Sequence, residues 1–488
     1  MGGAIRGLVK DTAVYGLSSI MGRVLNWMLL PVYVRVLPNT GDYGVVTELY
    51  AWTAILLVLL TYGMETGLFR FINKTDEREP LRVYGSILRS LAVTSALFFA
   101  LVFIFLNPIS SSLNYSAHPE FIAIMGTIIA VDAFCCLPFA FLRYQRRPVR
   151  FATLKLINIA LSILLNIFFL VLCPLIEASY PKAIGWFYKP DYGVGYIFIS
   201  NAITTLLTLV MLTPEIVAGL RARMNFPLLK RILKYSFPIL ILGIAGILNQ
   251  SIDKMLFKFL FDDKEYAENQ LGIYGACFKI AVIMVMFIQA FRYAYEPFVF
   301  AKNKNTDSRK AYSMAMKYFI IFATIIFLGV MFYIDIIKLL LKPNYYSGLS
   351  VVPIVMLGEL FFGVYFNLSM WYKLTDNTRW GAYFSIFGCI MTVAIIIIFV
   401  PHYGFMACAW ASFFSNLAMM LLSYFIGRRK YPVAYDLRSA LFYAVVAAAF
   451  YAAAMLPDVS SLALRLTYRS ILLILFLGLI YRREFHRL

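Results

Sequence analysis

Long apolar windows, each bounded by a short polar break, recur through the whole chain. A helix of about 20 apolar residues crosses a hydrocarbon layer of about 30 Å. About fourteen windows reach this length and are predicted to be membrane-spanning helices. Their limits are 11–36, 42–65, 84–106, 119–142, 152–176, 193–214, 232–260, 270–298, 311–333, 350–373, 380–400, 404–426, 437–456 and 462–481. We therefore predict an all-α polytopic membrane protein.

Composition supports this fold class and argues against a soluble domain. Hydrophobic residues make up 62% of the 488 positions and charged residues only 14%. Soluble domains of this size carry far more charge. The net charge of +19 would suggest nucleic acid as the partner of a soluble chain. Here the basic residues lie in short loops between spans, where they set topology, so we expect no nucleic-acid partner.

The loops alternate between rich and poor in basic residues. The basic-rich segments are 70–82, 143–150, 221–231, 302–310, 428–430 and 482–487. Loops 107–118 and 401–404 contain no lysine or arginine, and 177–192 contains only Lys182 and Lys189. Cytoplasmic loops are the basic ones in membrane proteins. The alternation predicts that both termini are cytoplasmic and that the number of spans is even.

Two parts of the sequence resemble each other. Arg23 precedes Tyr43 by the same interval at which Lys254 precedes Tyr274, and each tyrosine is followed by glycine. Both spans begin on the predicted cytoplasmic side, which is typical of a parallel repeat. We predict an N-lobe of six spans (1–225), a C-lobe of six spans (226–430) and two peripheral spans (431–488).

The first span carries a charge near its middle. At about 1.5 Å per residue, Arg23 lies about 20 Å from Lys10, deep in the hydrocarbon layer. A charge at that depth costs about 3 to more than 10 kcal/mol if it faces lipid. We predict that Arg23, with the nearby Asn26, faces other helices or a water-filled cavity. A snorkelling arginine, or one neutralised by a structural carboxylate, is the alternative.

Other ionisable residues also fall inside spans, where they mark functional sites by default. Asp132 lies deep enough to meet Arg23, and Glu48 is shallower but within reach of an arginine. The candidate substrate-binding residues are Arg23, Asn26, Lys254, Lys279 and Arg292. The candidate ion-coupling residues or charge partners are Glu48, Asp132, Asp253, Glu296 and Glu359.

Each of these candidates also has a structural interpretation. Arg292 and Glu296 are spaced i, i+4 and could form a local ion pair. Asp253 and Lys254 could form a snorkelling pair at the outer end of a span. Asp132 could be the structural partner of a cation.

Catalytic signatures are missing from the sequence. The three histidines, His118, His402 and His486, are far apart, and no Walker A or dinucleotide-binding sequence is present. The six cysteines have no framework spacing. We expect neither an enzyme nor a metal site nor a cofactor. A cationic cavity between two bundles suits an anionic cargo such as a phosphate or pyrophosphate. Without an ATPase motif, an ion gradient, the membrane potential or the cargo's own gradient must drive its transport.

Several stretches resemble one membrane-protein family. Residues 8–51 (LVKDTAVYGLSSIMGRVLNWMLLPVYVRVLPNTGDYGVVTELYA) resemble the opening of the Wzx-type polysaccharide-biosynthesis flippases. These belong to the multidrug/oligosaccharidyl-lipid/polysaccharide exporter superfamily. Residues 249–260 and 271–281 resemble the corresponding part of the second half, and 339–366 and 404–424 resemble later helices. The resemblance covers about residues 8–430.

The resemblance implies a bacterial inner-membrane flippase that moves a glycan such as an O-antigen unit on polyprenyl pyrophosphate. Its expected partners are this lipid-linked oligosaccharide and membrane lipids, with a glycan polymerase or glycosyltransferases as further candidates. By position, Arg23 best matches the cavity-lining basic residues of the family, followed by Lys254. Flippases of the peptidoglycan precursor and drug or organic-ion exporters are the alternatives within the superfamily. A membrane enzyme of glycan assembly or a non-transporting scaffold are the alternatives of another class.

Overall fold

A computed structural model of the chain describes residues 21–72, 80–302, 308–375, 377–456 and 461–485. Within these ranges the secondary structure is helical, and no strand is present. Among the described residues, thirteen helices are long and apolar enough to cross a membrane. Their main segments are α1 (Thr40–Thr61), α2 (Pro80–Ile104), α3 (Pro119–Tyr144), α4 (Pro148–Ile167), α5 (Gly193–Met211), α6 (Phe226–Leu256), α7 (Lys264–Lys302), α8 (Ser308–Phe332), α9 (Val351–Leu368), α10 (Arg379–Tyr403), α11 (Phe405–Lys430), α12 (Leu437–Met455) and α13 (Leu462–Ile480).

The predicted fold class is confirmed. The thirteen helices coincide with the last thirteen predicted spans, with ends that differ by a few residues. The first predicted span, 11–36, is helical over 21–27 and 30–36, and its earlier residues lie outside the described part. Short helices connect or extend the spans: Met64–Ile72, Leu106–Ser112, Cys173–Ser179, Pro181–Ile184, Thr213–Arg221, Ile334–Ile337 and Met370–Leu374.

Two breaks interrupt the beginning of the chain. The first span is broken at residues 28 and 29, just before Pro31. Proline has no N–H to donate, and its ring clashes with the carbonyl four residues earlier, so the helix cannot continue unbroken. The second break separates α1 from the helix Met64–Ile72. There Tyr62 (φ 33°) and Gly63 (φ 70°) adopt positive φ and redirect the chain.

The chain divides into two compact units, residues 1–272 and 273–488. α6, which the sequence places at the start of the C-lobe, packs within the first unit. The helix Met64–Ile72 and α6 approach each other closely, since a Cβ added to Gly63 would lie 3.0 Å from the carbonyl oxygen of Ser236. An apolar core joins these helices to α2 and α3 through residues that include Leu68, Ile87 and Ile232. The predicted N-lobe, C-lobe and peripheral pair stay predictions.

The second unit packs around α9, α10 and α11. A Cβ added to Gly358 of α9 would lie 3.2 Å from the Cα of Phe413 in α11. Gly388 of α10 faces Met419 of α11 at a similarly short distance, 2.5 Å from the sulfur to an added Cβ. Small residues at these positions let the helix axes approach, which is how helices associate where no water drives their burial.

Candidate functional site

Arg23 and Asn26 lie on an exposed part of the first span. Gly22, their neighbour, is buried against Ile159 of α4, where an added Cβ would lie 2.8 Å from that side chain. Arg23 follows Gly22 by about 100° around the helix, and Asn26 lies three positions further on the same face. Both side chains are exposed, and they lie five residues (Arg23) and two residues (Asn26) before the break at residues 28 and 29.

Lys254 is held by its neighbour Asp253 near the end of α6. The Lys254 Nζ lies 2.9 Å from Asp253 Oδ2 and 3.1 Å from Oδ1. Both side chains are about nine-tenths buried, with 11% and 8% exposed. This pair does not snorkel to a surface. A phosphate that binds Lys254 would therefore compete with a buried carboxylate that already holds it.

One turn beyond this pair, Lys258 lies at the centre of a buried polar cluster. We call Lys258, Glu48, Glu268 and Tyr115 the Lys258 cluster. The Lys258 Nζ lies 3.7 Å from Glu48 Oε2, forms an ion pair with Glu268, and donates to the carbonyl oxygen of Leu113 at 3.2 Å. It also lies 4.1 Å from the centre of the Tyr115 ring.

The carboxylate of Glu48 is only half satisfied in this cluster. The Tyr115 hydroxyl donates to Glu48 Oε2 at 2.7 Å. Glu48 Oε1 is buried and accepts no hydrogen bond from any residue that the structure describes. The side chains of Lys258 and Glu48 are 0% exposed, and Glu268 is 23% exposed. Glu268 is thus the most exposed member of the cluster.

The first turns of α7 are fastened to the start of α1 beside this cluster. Asn269 Oδ1 accepts hydrogen bonds from the Thr40 hydroxyl at 2.6 Å and from the Gly41 N–H at 2.8 Å. It therefore caps α1, whose first N–H groups have no partner within the helix. The backbones cross at Gly44 and Gly272, and a Cβ added to Gly272 would lie 1.8 Å from the Thr40 carbonyl oxygen.

The depth of Asp132 suggests a contact with Arg23, but the partners that the structure gives it are Thr205 and Lys155. It accepts a hydrogen bond from the Thr205 hydroxyl of α5 at 3.2 Å. The Lys155 ammonium of α4 attracts it electrostatically. Lys155 also lies 4.1 Å from the centre of the Phe139 ring. The contacts link α3, α4 and α5 within the first unit.

In the second unit, two cations share one aromatic ring. The Arg292 guanidinium lies 4.1 Å from the centre of the Phe366 ring, and the Lys373 Nζ lies 4.6 Å from it. The side chain of Glu296 lies outside the described residues, so its predicted pairing with Arg292 stays a prediction. Lys279 is exposed on α7, and Glu359 is half-buried on α9.

Three residues important for this geometry were missed by sequence reasoning: Lys258, Tyr115 and Lys155. Lys258 follows Lys254 by four positions, a helical spacing that could have marked it. Lys155 lies inside the predicted span 152–176, where any charge is informative. Nothing in the local sequence singles out Tyr115, because its role depends on contacts with residues 67 positions earlier and 143 positions later.

Arginine-lined cavities lie where the first unit carries its predicted cytoplasmic loops. The larger, about 700 Å³, is lined by Arg146, Arg147 and Arg150. The smaller, about 430 Å³, is lined by Arg82 and by the segment 221–223. Arginine binds phosphate oxygens in pairs, so these surfaces can bind lipid phosphate groups.

A comparison with protein-family models establishes the family to which this chain belongs. The sequence model of the family described as "Polysaccharide biosynthesis protein" matches residues 8–300, more than half of the chain. The chain belongs to the polysaccharide biosynthesis protein family. The resemblance seen in residues 8–51 is thereby confirmed. A comparison with the curated proteins finds no match for this family member.

Solved structures share the fold of this polysaccharide biosynthesis protein. The lipid II flippase MurJ in an inward closed conformation is 14% identical, with a TM-score of 0.74 over 96% of this chain and 98% of its own. An inward-facing multidrug resistance MATE family transporter of the MOP superfamily is 14% identical, with a TM-score of 0.64 over 86% and 97%. The MATE multidrug transporter DinF-BH is 15% identical, with a TM-score of 0.61 over 87% and 96%. At such identities the likeness establishes the fold.

Proposed function

We propose that this protein is a flippase that moves a polyprenyl-pyrophosphate-linked oligosaccharide across the bacterial inner membrane by alternating access. Membership of the polysaccharide biosynthesis family and a fold shared with lipid and drug transporters support the proposal. We place both termini in the cytoplasm on the basis of the alternation of basic loops.

Arg23 is the observation that carries the proposal. Its side chain is exposed on the first span, which the sequence predicts to cross the membrane, while the adjacent Gly22 faces α4. Exposure to lipid would cost about 3 to more than 10 kcal/mol. A water-filled cavity that receives an anion avoids this cost. A pyrophosphate supplies two or more oxygens to the planar guanidinium, and Asn26 on the same face adds an amide donor.

The remaining basic candidates are ranked by their surroundings. Lys279 is exposed on a span whose apolar window is 61% buried, which favours a role in a cavity. Arg292 and Lys373 on the Phe366 ring place two positive charges together in the second unit. Lys254 ranks below them because Asp253 already neutralises it.

The test is transbilayer movement of a fluorescent polyprenyl-pyrophosphate oligosaccharide in liposomes that contain the purified protein. Arg23→Ala is expected to slow flipping about 10- to 100-fold, which corresponds to the loss of a charge-assisted hydrogen bond worth about 1.5–3 kcal/mol. Arg23→Lys keeps the charge but loses the bidentate geometry, so its flipping rate should lie between those of the wild type and Arg23→Ala. Arg35→Ala, further along the same segment, is the matched control and should flip at the wild-type rate. Wild-type flipping by Arg23→Ala would remove Arg23 from the site.

The same liposomes separate the alternatives. The lipid-linked peptidoglycan precursor is the competing cargo, since the structurally similar MurJ is a lipid II flippase. Faster movement of lipid II than of the oligosaccharide would reassign the cargo, and movement of organic cations alone would indicate a drug exporter. Chemical change of the glycan would indicate an enzyme. If none of these cargoes moves under a proton or a sodium gradient, the remaining interpretation is a non-transporting scaffold.

A further inference from the structure

The charges of the Lys258 cluster do not balance. When all three ionisable members are charged, Glu48 and Glu268 contribute two negative charges and Lys258 one positive charge. The two carboxylates repel each other, and Lys258 lies between them. Burying an uncompensated charge costs several kcal/mol even after relaxation. Glu48 is the worst placed, since it is 0% exposed and its Oε1 lacks a partner among the described residues.

In the part of the chain that the structure describes, no other charged group facing the cluster removes this excess. The Trp52 indole of α1 directs its N–H toward Glu48, outside normal hydrogen-bond geometry, and it carries no charge. From loop 107–118 comes Tyr115, also neutral. Lys264 of α7 directs its ammonium to the backbone carbonyls of Phe261 and Lys258, at 2.6 and 3.2 Å. Asp253 and Lys254 neutralise each other one turn away.

We propose that the Lys258 cluster is a binding site for one exchangeable proton, which is carried by the Glu48 carboxyl group. The Glu48 carboxylate takes up one proton to become a carboxylic acid, and the net charge of the cluster changes from −1 to 0. A proton fits better than a metal ion because the Lys258 ammonium already occupies the space between the carboxylates.

Protonation stabilises the closed contact between α1 and the start of α7. The cluster joins α1 to Lys258 and Glu268, next to the Asn269 cap and the Gly44–Gly272 crossing. The neutral cluster is compatible with burial, whereas the charged cluster gains hydration when this contact opens. Glu268 offers the proton a route from the predicted outer side, because it is the partly exposed member. Acid on that side therefore closes the outer end of the first unit.

This inference rests on the proposed function in one respect: closure of the contact between α1 and α7 would be a step of the flippase's transport cycle. The proton site itself is measured without any cargo, so its failure and that of the flippase assignment are separate results.

The experiment uses the full-length protein in lipid nanodiscs. Infrared difference spectra between acid and alkaline pH should contain the carbonyl band of a buried carboxylic acid. Glu48→Gln should remove this band, and Glu120→Gln, at an exposed glutamate of the same predicted outer side, should retain it. A band that persists in Glu48→Gln overturns the assignment. A wild-type spectrum that responds to sodium at constant pH, without a carboxylic acid band, would replace the proton with sodium.

Amide hydrogen exchange tests the coupling to closure. When the two proteins are compared at the same alkaline pH, residues 264–272 should exchange more slowly in Glu48→Gln than in wild type, because the glutamine amide mimics the protonated acid. The difference should grow about tenfold per pH unit above the titration midpoint, the limit for one linked proton. Glu268→Gln also neutralises the cluster and should behave in the same way if Glu48→Gln does not fold. If both variants exchange at the wild-type rate at every pH, protonation of the cluster is not coupled to closure of the α1–α7 contact.

Discussion

Asp335 shows at the residue scale how a buried charge is tolerated near the end of a span. Lys338 donates to its Oδ1 at 2.5 Å, and Arg469 and Arg465 donate to its Oδ2 at 2.9 and 3.2 Å. Burial raises the pKa of Asp335, but these three cations outweigh burial and leave the pKa below its ordinary value. The carboxylate is therefore ionised at neutral pH and loses its stabilising effect only as the pH falls through that lowered pKa.

Replacing Asp335 with alanine is expected to cost about 3–5 kcal/mol of unfolding free energy, because it leaves Arg469 buried without a counter-charge. Arg465→Ala is the control. The Arg465 side chain is 27% exposed, and its loss should cost about 1 kcal/mol or less. Both values can be measured by denaturant unfolding in detergent at neutral pH. Equal losses in the two variants would contradict a special role for the buried pair.

At the scale of the element, the crossing of α1 and α7 depends on two glycines. Gly44 and Gly272 bring the backbones so close that a Cβ at Gly44 would lie 2.1 Å from the Glu268 carbonyl oxygen. The break before Pro31, by contrast, has a local cause, since proline removes a helix hydrogen bond. The break could be anticipated from the sequence. The crossing could not, because a glycine in a helix does not reveal which backbone approaches it.

Gly44→Ala is expected to separate α1 from α7 and to cost about 1–3 kcal/mol, the range for overpacking. Amide exchange of residues 264–272 should accelerate. Gly246→Ala on α6 is the matched control, because a Cβ there meets nothing within 4 Å. It should leave exchange unchanged or slower, since alanine favours helix more than glycine does. Equal acceleration in both variants would refute the close-packing argument.

At the scale of the whole molecule, the alternation of basic loops predicts which side of the membrane each loop faces. Nearly every second loop is rich in lysine or arginine, and the family match and the thirteen apolar helices of the described residues indicate a multi-pass membrane protein. Packing decides where each helix ends, whereas the side of the membrane that each end faces is decided by charge.

Reporter fusions test this topology. A fluorescent protein joined after residue 430 or after the last residue should fold and fluoresce, because the prediction places both positions in the cytoplasm. An alkaline phosphatase inserted at the 401–404 loop should be active, because that enzyme requires the outer compartment. Fluorescence from the 401–404 position would reverse the assignment.

The spans, the membrane fold and the family could all be derived from the sequence, and the physical reason is that hydrocarbon constrains each segment by itself. A span must be apolar for its full length and must satisfy its own backbone, so its signature is local. A charge inside a span is equally visible, which is why the sequence alone marks Glu48 and Arg23 as candidates. The partners of these charges were decided by tertiary structure alone. Glu48 meets Lys258 across more than 200 positions, and Asp132 meets Lys155 where its depth suggests Arg23. Electrostatic attraction depends on distance in space, and only the packing of the helices sets that distance.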